Sequence, residues 1–134
     1  MSHFSKTKIS MAVVANLLLA TCLATHAQAT EQAKTETIVV AGGCFWGVES
    51  VFDHTKGVIK AVAGYAGGQS NAAHYEMVSG GDTGHAESVQ VTYDPKQVSL
   101  SQLLDIYFKV AHNPTELNRQ GPDRGSQYRS TVFY

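Results

Sequence analysis

Residues 37–52 join a strand pattern to a helix pattern through two glycines, and this joint limits the possible folds more than any other stretch. The β-branched run Thr37-Ile38-Val39-Val40 is typical of a buried strand. An apolar residue then recurs at three- and four-residue spacing, as on one face of a helix: Phe45, Val48, Val51 and Phe52. Gly42 and Gly43 lie between the two patterns, where the backbone has to turn sharply. The sequence therefore predicts a strand, a tight turn and a helix.

Cys44 falls at the end of this turn, in or beside the first turn of the predicted helix. Unpaired N–H groups and the positive end of the helix dipole favour a thiolate over a thiol there. The alternative is a small buried hydrophobic residue, since most free cysteines are inert. Trp46, the only tryptophan, follows at once and suggests the wall of a pocket. We interpret Cys44 as a reactive residue.

The rest of the chain supplies a second helix and three further strands. In chain order the patterns predict a strand at 58–63, a loop at 69–84, a strand at 86–93, a helix at 100–111, a polar loop at 116–124 and a last strand at 128–134. Ser99 and Gln102 are spaced for a capping box at the start of the second helix. The order strand, helix, strand, strand, helix, strand predicts an α+β fold. We expect a ferredoxin-like two-layer sandwich, the split βαβ arrangement, whose mainly antiparallel sheet carries both helices on one face.

The N-terminal segment has the three-part pattern of a secretory signal. Lys6 and Lys8 precede an apolar stretch at 11–24, and Ala27-Gln28-Ala29 forms a small-x-small cleavage site. We expect residues 1–29 to be a signal peptide and residues 30–134 to be one exported domain, located in the bacterial periplasm. The apolar stretch is short for a membrane span, so we expect no stable membrane association after cleavage.

Removal of the signal changes the charge and the cysteine count. The segment contains two lysines and no acid, so the net charge of −1 becomes −3. No basic cluster remains, which argues against nucleic acid as a partner. Of the two cysteines, Cys22 leaves with the signal and Cys44 stays. A single cysteine in an oxidising compartment forms no internal disulfide, so it is either buried and inert or a working thiol.

Two further stretches are candidates for function. Glu87 follows a glycine-rich loop at the start of a predicted strand, where partial burial raises the pKa of a carboxyl group and suits it to donate a proton. The alternative is a charge on an edge strand that keeps the protein soluble. The polar segment 118–130 is either a functional loop or a solvated turn. The histidines show no metal-ligand spacing, so we expect no bound metal.

Four motifs together resemble the peptide methionine sulfoxide reductase A family. They are Gly43-Cys44-Phe45-Trp46-Gly47, Gly64-Tyr65-Ala66-Gly67-Gly68, Thr83-Gly84-His85-Ala86-Glu87, and Arg119-Gln120-Gly121 with Gln127-Tyr128-Arg129-Ser130. They occur in the family's order over residues 38–134. The resemblance implies thiol-dependent reduction of methionine S-sulfoxide, free or in proteins, as a repair of oxidative damage.

The resemblance also implies roles for the residues around the cysteine. Cys44 would attack the sulfoxide sulfur, release methionine and remain as a sulfenic acid. Phe45 and Trp46 would form an apolar box for the methyl group on that sulfur.

Four polar residues would handle the sulfoxide oxygen. Glu87 would protonate it, Tyr75 and Tyr128 would donate hydrogen bonds to it, and Asp123 would help to hold the donors and water of the site. A sulfur held on three sides would explain selectivity for one epimer.

The chain departs from the family pattern in three places. Ala72-Ala73-His74 replaces the usual Asn-Pro-Thr before Tyr75, and Ser79 stands where some members have a cysteine. The family also continues past the position of Tyr134, with a tail that often holds resolving cysteines and a histidine that contacts substrate. We expect this catalytic domain to lack that tail.

Without a resolving cysteine, an external thiol such as a thioredoxin-like protein is the expected reductant, with no bound cofactor. We expect a monomer. Two alternatives remain open at this point. One is a Cys–His hydrolase with His85 or His112 as base. The other is a truncated, non-catalytic remnant that binds sulfoxide.

Overall fold

The computed structural model describes residues 34–134, and the predicted signal peptide at 1–29 lies outside them. The strands are β1 Glu36–Ala41, β2 Val58–Ala66, β3 Ala86–Tyr93, β4 Arg119–Gln120, β5 Asp123–Arg124 and β6 Thr131–Phe133. The α-helices are α1 Phe45–Asp53, α2 Tyr75–Ser79 and α3 Leu100–Ile106, which continues as a π-helical turn over Tyr107–Ala111. Two short 3-10 turns cover Ser70–Ala72 and Ser126–Tyr128.

Four of the strands form one antiparallel sheet in the order β2-β3-β1-β6. β1 pairs with β3 along its whole length, from Glu36 opposite Tyr93 to Ala41 opposite Ser88. β3 therefore lies between β1 and β2, the two strands that α1 connects. This is the split βαβ arrangement, and the expected α+β sandwich is confirmed.

The core lies between one face of this sheet and the helices. Val40 and Val89 are opposite each other in the β1–β3 pair, so their side chains share a face. The buried cluster that contains them also includes side chains of α1, α3 and the π turn: Phe45, Val48, Phe52, Leu103 and Tyr107. Burying a side chain of this size stabilises a fold by about 1.5–3 kcal/mol. The sheet thus holds α1, and with it Cys44, in a fixed place.

The predicted capping box forms at the start of α3. The Ser99 hydroxyl accepts from the Gln102 N–H, and the Ser99 N–H donates to the Gln102 side chain. The helix differs from the prediction further on, because its α-helical part ends at Ile106 and a π turn follows. Single π turns are frequent at functional sites, and this one leads directly to His112.

The loop predicted at 69–84 contains the helix α2, which the periodicity did not show. The last strand is also shorter than predicted, since it begins at Thr131 and Tyr128 belongs to a 3-10 turn. The Arg129 side chain explains this difference. Its guanidinium donates to the carbonyls of Gly84, His85 and Ser126 and so ties residues 126–129 to the start of β3 instead of to β1.

Between residues 34 and 134, no helix has the length and apolar character needed to cross a membrane.

Candidate active site

Cys44 is the residue that caps the N-terminus of α1, as the sequence predicted. Its carbonyl accepts the amides of Gly47 at 3.1 Å and Val48 at 3.4 Å, which are the first bonds of the helix. Gly43, directly before it, has φ +94°, in the left-handed region that favours glycine. The turn is therefore tight, and it presents a half-buried thiol at the end of the helix with the free N–H groups.

Glu87 approaches this end of the helix from the sheet. Its side chain is 4 % exposed, and Oε2 accepts the Phe45 N–H at 3.0 Å. Burial raises the pKa of this carboxyl group, the Phe45 amide opposes the rise, and the negative charge of Asp123 adds to it. A carboxyl group that holds its proton more strongly than usual therefore contacts the backbone of the residue that follows Cys44.

Tyr128 lies at the meeting point of the predicted polar residues. Burial raises the pKa of its phenol, and four acidic groups nearby raise it further: Glu87, Asp123, Tyr75 and Cys44. These groups come from β3, β5, the start of α2 and the start of α1. The five predicted polar site residues are therefore brought together, although they are spread over residues 44–128.

The aromatic residues form a continuous wall beside the thiol. The ring centroids of Phe45 and Trp46 lie 5.5 Å apart, and those of Trp46 and Tyr75 lie 6.5 Å apart with nearly parallel planes. Phe45 is buried, whereas Trp46 is 63 % exposed. Tyr75 stacks on Trp46 although the residues at 72–74 are unusual. An apolar wall that is open to solvent on one side suits a small alkyl group that arrives from outside.

Tyr65 belongs to this site, although the sequence assigned it no role. Its ring lies 5.6 Å from that of Phe45, and it stands directly opposite Glu87 in the β2–β3 pair. Burial is the largest cause that raises the pKa of its phenol. The nearby acidic groups of Glu87, Tyr75 and Glu76 raise this pKa further. The register of β2 against β3 would have identified it, but this register is not visible in the sequence.

Neither candidate base for a Cys–His hydrolase is free to act on Cys44. The Nδ1 of His85 accepts the Gly68 N–H at 3.2 Å, and its Nε2 lies 2.9 Å from the Gln69 carbonyl. In His112 the two ring nitrogens lie 2.9 Å from the Tyr107 carbonyl and 2.7 Å from the Ser130 hydroxyl. Both imidazoles are engaged in holding backbone segments.

The described part of the chain contains no group of three or more His, Cys, Asp or Glu side chains placed to hold a metal ion. The chemistry that these residues support directly is that of a thiol next to a proton donor.

Comparison with known proteins gives a consistent result. The family model described as "Peptide methionine sulfoxide reductase" matches residues 36–134. A relative named "Peptide methionine sulfoxide reductase MsrA 2" from Mesorhizobium japonicum is 65% identical over 99 residues, which are 74% of this chain and 51% of that protein. A protein of the same name from Synechocystis is 54% identical over 74% of this chain and 46% of its own length. The chain thus spans about half the length of the curated relatives it matches.

Solved structures show the same likeness. Methionine sulfoxide reductase A of Corynebacterium diphtheriae superimposes with a TM-score of 0.71 at 43% identity, over 77% of this chain and 48% of that one. Mxr1 from Saccharomyces cerevisiae in reduced form gives a TM-score of 0.69 at 40% identity, over 78% of this chain and 61% of that one.

Proposed function

Because this chain belongs to the peptide methionine sulfoxide reductase family, we propose that it reduces methionine S-sulfoxide to methionine through a sulfenic acid on Cys44. It is then an oxidoreductase, a peptide-methionine (S)-S-oxide reductase, that repairs oxidised methionine free or in proteins. One observation carries the proposal: the buried Glu87 carboxyl group, whose pKa burial raises, accepts the amide of Phe45, the residue after Cys44.

The reaction uses the two groups together. The Cys44 thiolate attacks the sulfoxide sulfur while Glu87 gives its proton to the sulfoxide oxygen, which makes the sulfur a better electrophile. The oxygen is transferred from the substrate sulfur to the Cys44 sulfur, and the bond between the two sulfurs breaks as methionine leaves as the thioether. Cys44 is left as a sulfenic acid. The substrate sulfur gains two electrons and the cysteine sulfur loses two, so the step balances without a cofactor.

The neighbouring side chains hold the substrate for this attack. Tyr75 and Tyr128 donate hydrogen bonds to the sulfoxide oxygen, and Asp123 acts with them to hold the polar side of the site. Phe45 and Trp46 contact the methyl group on the sulfur. Because the sulfoxide sulfur is a chiral centre, only the S-epimer places its oxygen and its methyl group on the matching sides.

An external thiol completes the cycle. Cys44 is the only free cysteine in the described residues, so we propose a thioredoxin-like dithiol as reductant. Its first thiol displaces water from the sulfenic acid to form a mixed disulfide. Its second thiol then releases Cys44 and leaves the reductant as a disulfide.

The same proposal covers location and assembly. The three-part pattern of residues 1–29 supports export to a periplasm, with no stable membrane association of the domain. A net charge of −3 without the signal argues against nucleic acid as a partner. We propose a monomer, because one copy of the chain supplies every site residue named above.

The test is a single turnover without added reductant. The full chain is mixed with a peptide that contains methionine S-sulfoxide, beside the R-epimer and the variant Cys44→Ser. We expect about one methionine per protein from the S-epimer alone, none from the variant, and a sulfenic acid at Cys44 by mass spectrometry. A folded chain that binds the S-epimer and yields no methionine would overturn the proposal in favour of a binding remnant.

A further inference from the structure

Two side chains lie directly beneath the glycine turn that carries Cys44. A Cβ atom built on Gly42 would come within 2.6 Å of the His112 Cγ, and one built on Gly43 within 2.6 Å of the Gln120 Cγ. Both separations are far shorter than van der Waals contact, so the backbone of the turn rests against these side chains. We call His112 and Gln120 the floor of the turn.

His112 is held in one orientation and one tautomer. The Tyr107 carbonyl, 2.9 Å from Nδ1, can only accept, so Nδ1 carries the hydrogen. Nε2 of the neutral ring then accepts from the Ser130 hydroxyl at 2.7 Å. The imidazole also packs on the Tyr107 ring with centroids 4.3 Å apart, and its burial lowers the pKa of His112, which favours this neutral form.

The same network reaches the strand that leads into the turn. The hydroxyl of Tyr107, a fully buried residue, donates to the Ala41 carbonyl at 2.6 Å and lies 3.1 Å from the Ser130 oxygen. Ala41 is the residue before Gly42. Ser130 lies two residues after Tyr128. One set of hydrogen bonds therefore connects the strand that leads to Cys44 with the segment that carries Tyr128.

Two hydrogen bonds also hold the Gln120 side chain in one orientation. Its Oε1 accepts the Asn113 N–H at 2.8 Å, and its Nε2 donates to the Asn113 carbonyl at 3.0 Å. This pair of bonds closes the side-chain amide onto the backbone as another strand would. Because Asn113 follows His112, the two halves of the floor move as one unit.

We propose that the floor sets the position of the Cys44 sulfur, so that His112 and Gln120 are positioning residues for the attack on the sulfoxide. The proposal rests on the proposed function. Both side chains act through the backbone of the turn, which they contact at Gly42 and Gly43. Their loss therefore lowers the rate of the chemical step and leaves the binding of substrate nearly unchanged.

The experiment compares variants of the full chain in single turnovers over a range of S-sulfoxide peptide concentrations. We expect His112→Ala to lower the limiting rate constant about 10- to 100-fold, because a displacement near 1 Å can cost that much. The half-saturating concentration should stay within about twofold, since an interaction made only in the transition state affects the rate alone. Gln120→Ala should act in the same direction.

Two further variants separate positioning from folding. His112→Asn keeps an N–H donor near the Tyr107 carbonyl and should recover most of the rate. His54→Asn is the matched control, because His54 is exposed and its ring bonds to the Ser50 carbonyl of α1. It should behave as the unchanged chain does. Thermal unfolding of each variant gives the folded fraction by which the rates are corrected.

Alkylation of Cys44 by iodoacetamide provides a readout that does not require sulfoxide turnover. We expect His112→Ala to change the alkylation rate several-fold, because the half-buried thiol moves with the turn. Normal rates and normal alkylation in His112→Ala would overturn the floor proposal, as would a change confined to the half-saturating concentration. If the chain without substitutions produces no methionine, the proposed function is refuted instead. The alkylation rates of the variants then still test whether His112 positions Cys44.

Discussion

Tyr65 and Glu87 stand directly opposite each other on adjacent antiparallel strands, and both reach Phe45. The Tyr65 ring packs 5.6 Å from the Phe45 ring, while the Phe45 amide donates to the Glu87 carboxyl group at 3.0 Å. The aromatic residue that follows Cys44 and another that stands opposite Glu87 in the sheet thus pack together near this carboxyl group. Burial is the largest cause of the raised pKa of Glu87.

The first prediction concerns the pH dependence of turnover. Because the pKa of Glu87 is raised, its proton persists to higher pH than in an ordinary carboxyl group. The single-turnover rate should fall as the pH rises through that pKa. Glu87→Gln should be slower by about 10²–10⁴ and should lack this limb. Rates measured from pH 4 to 9 test this, and an unchanged limb in the variant would exclude Glu87 as the acid.

The second prediction concerns stability. A carboxyl group with a higher pKa folded than unfolded binds more protons in the folded state, so the free energy of unfolding decreases as the pH rises between the two pKa values. Glu87→Gln removes the titrating group, and with it this decrease in the free energy of unfolding. The melting temperature of the variant relative to the unchanged chain should therefore be higher at pH 8 than at pH 4. A difference that stays constant with pH would contradict the raised pKa.

The third prediction concerns Tyr65. Tyr65→Phe keeps the aromatic ring at this position and should retain turnover within a few-fold. Tyr65→Ala should admit water to Glu87 and lower its pKa, because burial is the largest cause of the rise. The descending limb of the pH profile should then move to lower pH. The two variants form a matched pair, and equal profiles would show that the ring does not shield the carboxyl group.

The fourth prediction compares two glycines on either side of the nucleophile. Gly43→Ala should impair folding or turnover strongly, because φ is +94° and the new Cβ would meet Gln120 at 2.6 Å. Gly47→Ala lies within α1 with no atom within 4 Å of the new Cβ. It should stabilise the protein by about 0.5–1 kcal/mol through helix propensity. Urea unfolding measures both, and similar effects would argue against the strained turn.

The fifth prediction concerns the capping box. Ser99→Ala should cost about 1 kcal/mol of stability, because the Gln102 amide loses its acceptor. Ser101→Ala, at an exposed position of the same helix, should have little effect or stabilise slightly. Turnover corrected for the folded fraction should be normal in both variants. A normal melting temperature for Ser99→Ala would show that the cap contributes little.

Local patterns were sufficient for most of the fold. The alternation in residues 86–93 predicted β3 with its observed ends, and the spacing of Ser99 and Gln102 predicted a cap that forms as expected. Such features depend on neighbours within one or two turns of chain. The helix α2 was missed because five residues are too few to show a helical period.

The sequence by itself determined the order of the four strands of the main sheet and the two longer helices, the location of Cys44 at a helix start and, through its motifs, the family. It did not determine which distant residues meet. The opposition of Tyr65 and Glu87 depends on the register of two strands, and the floor of His112 and Gln120 depends on where the chain returns after the π turn. Pairings of this kind are selected by the packing of the whole core, so only the tertiary structure decided them.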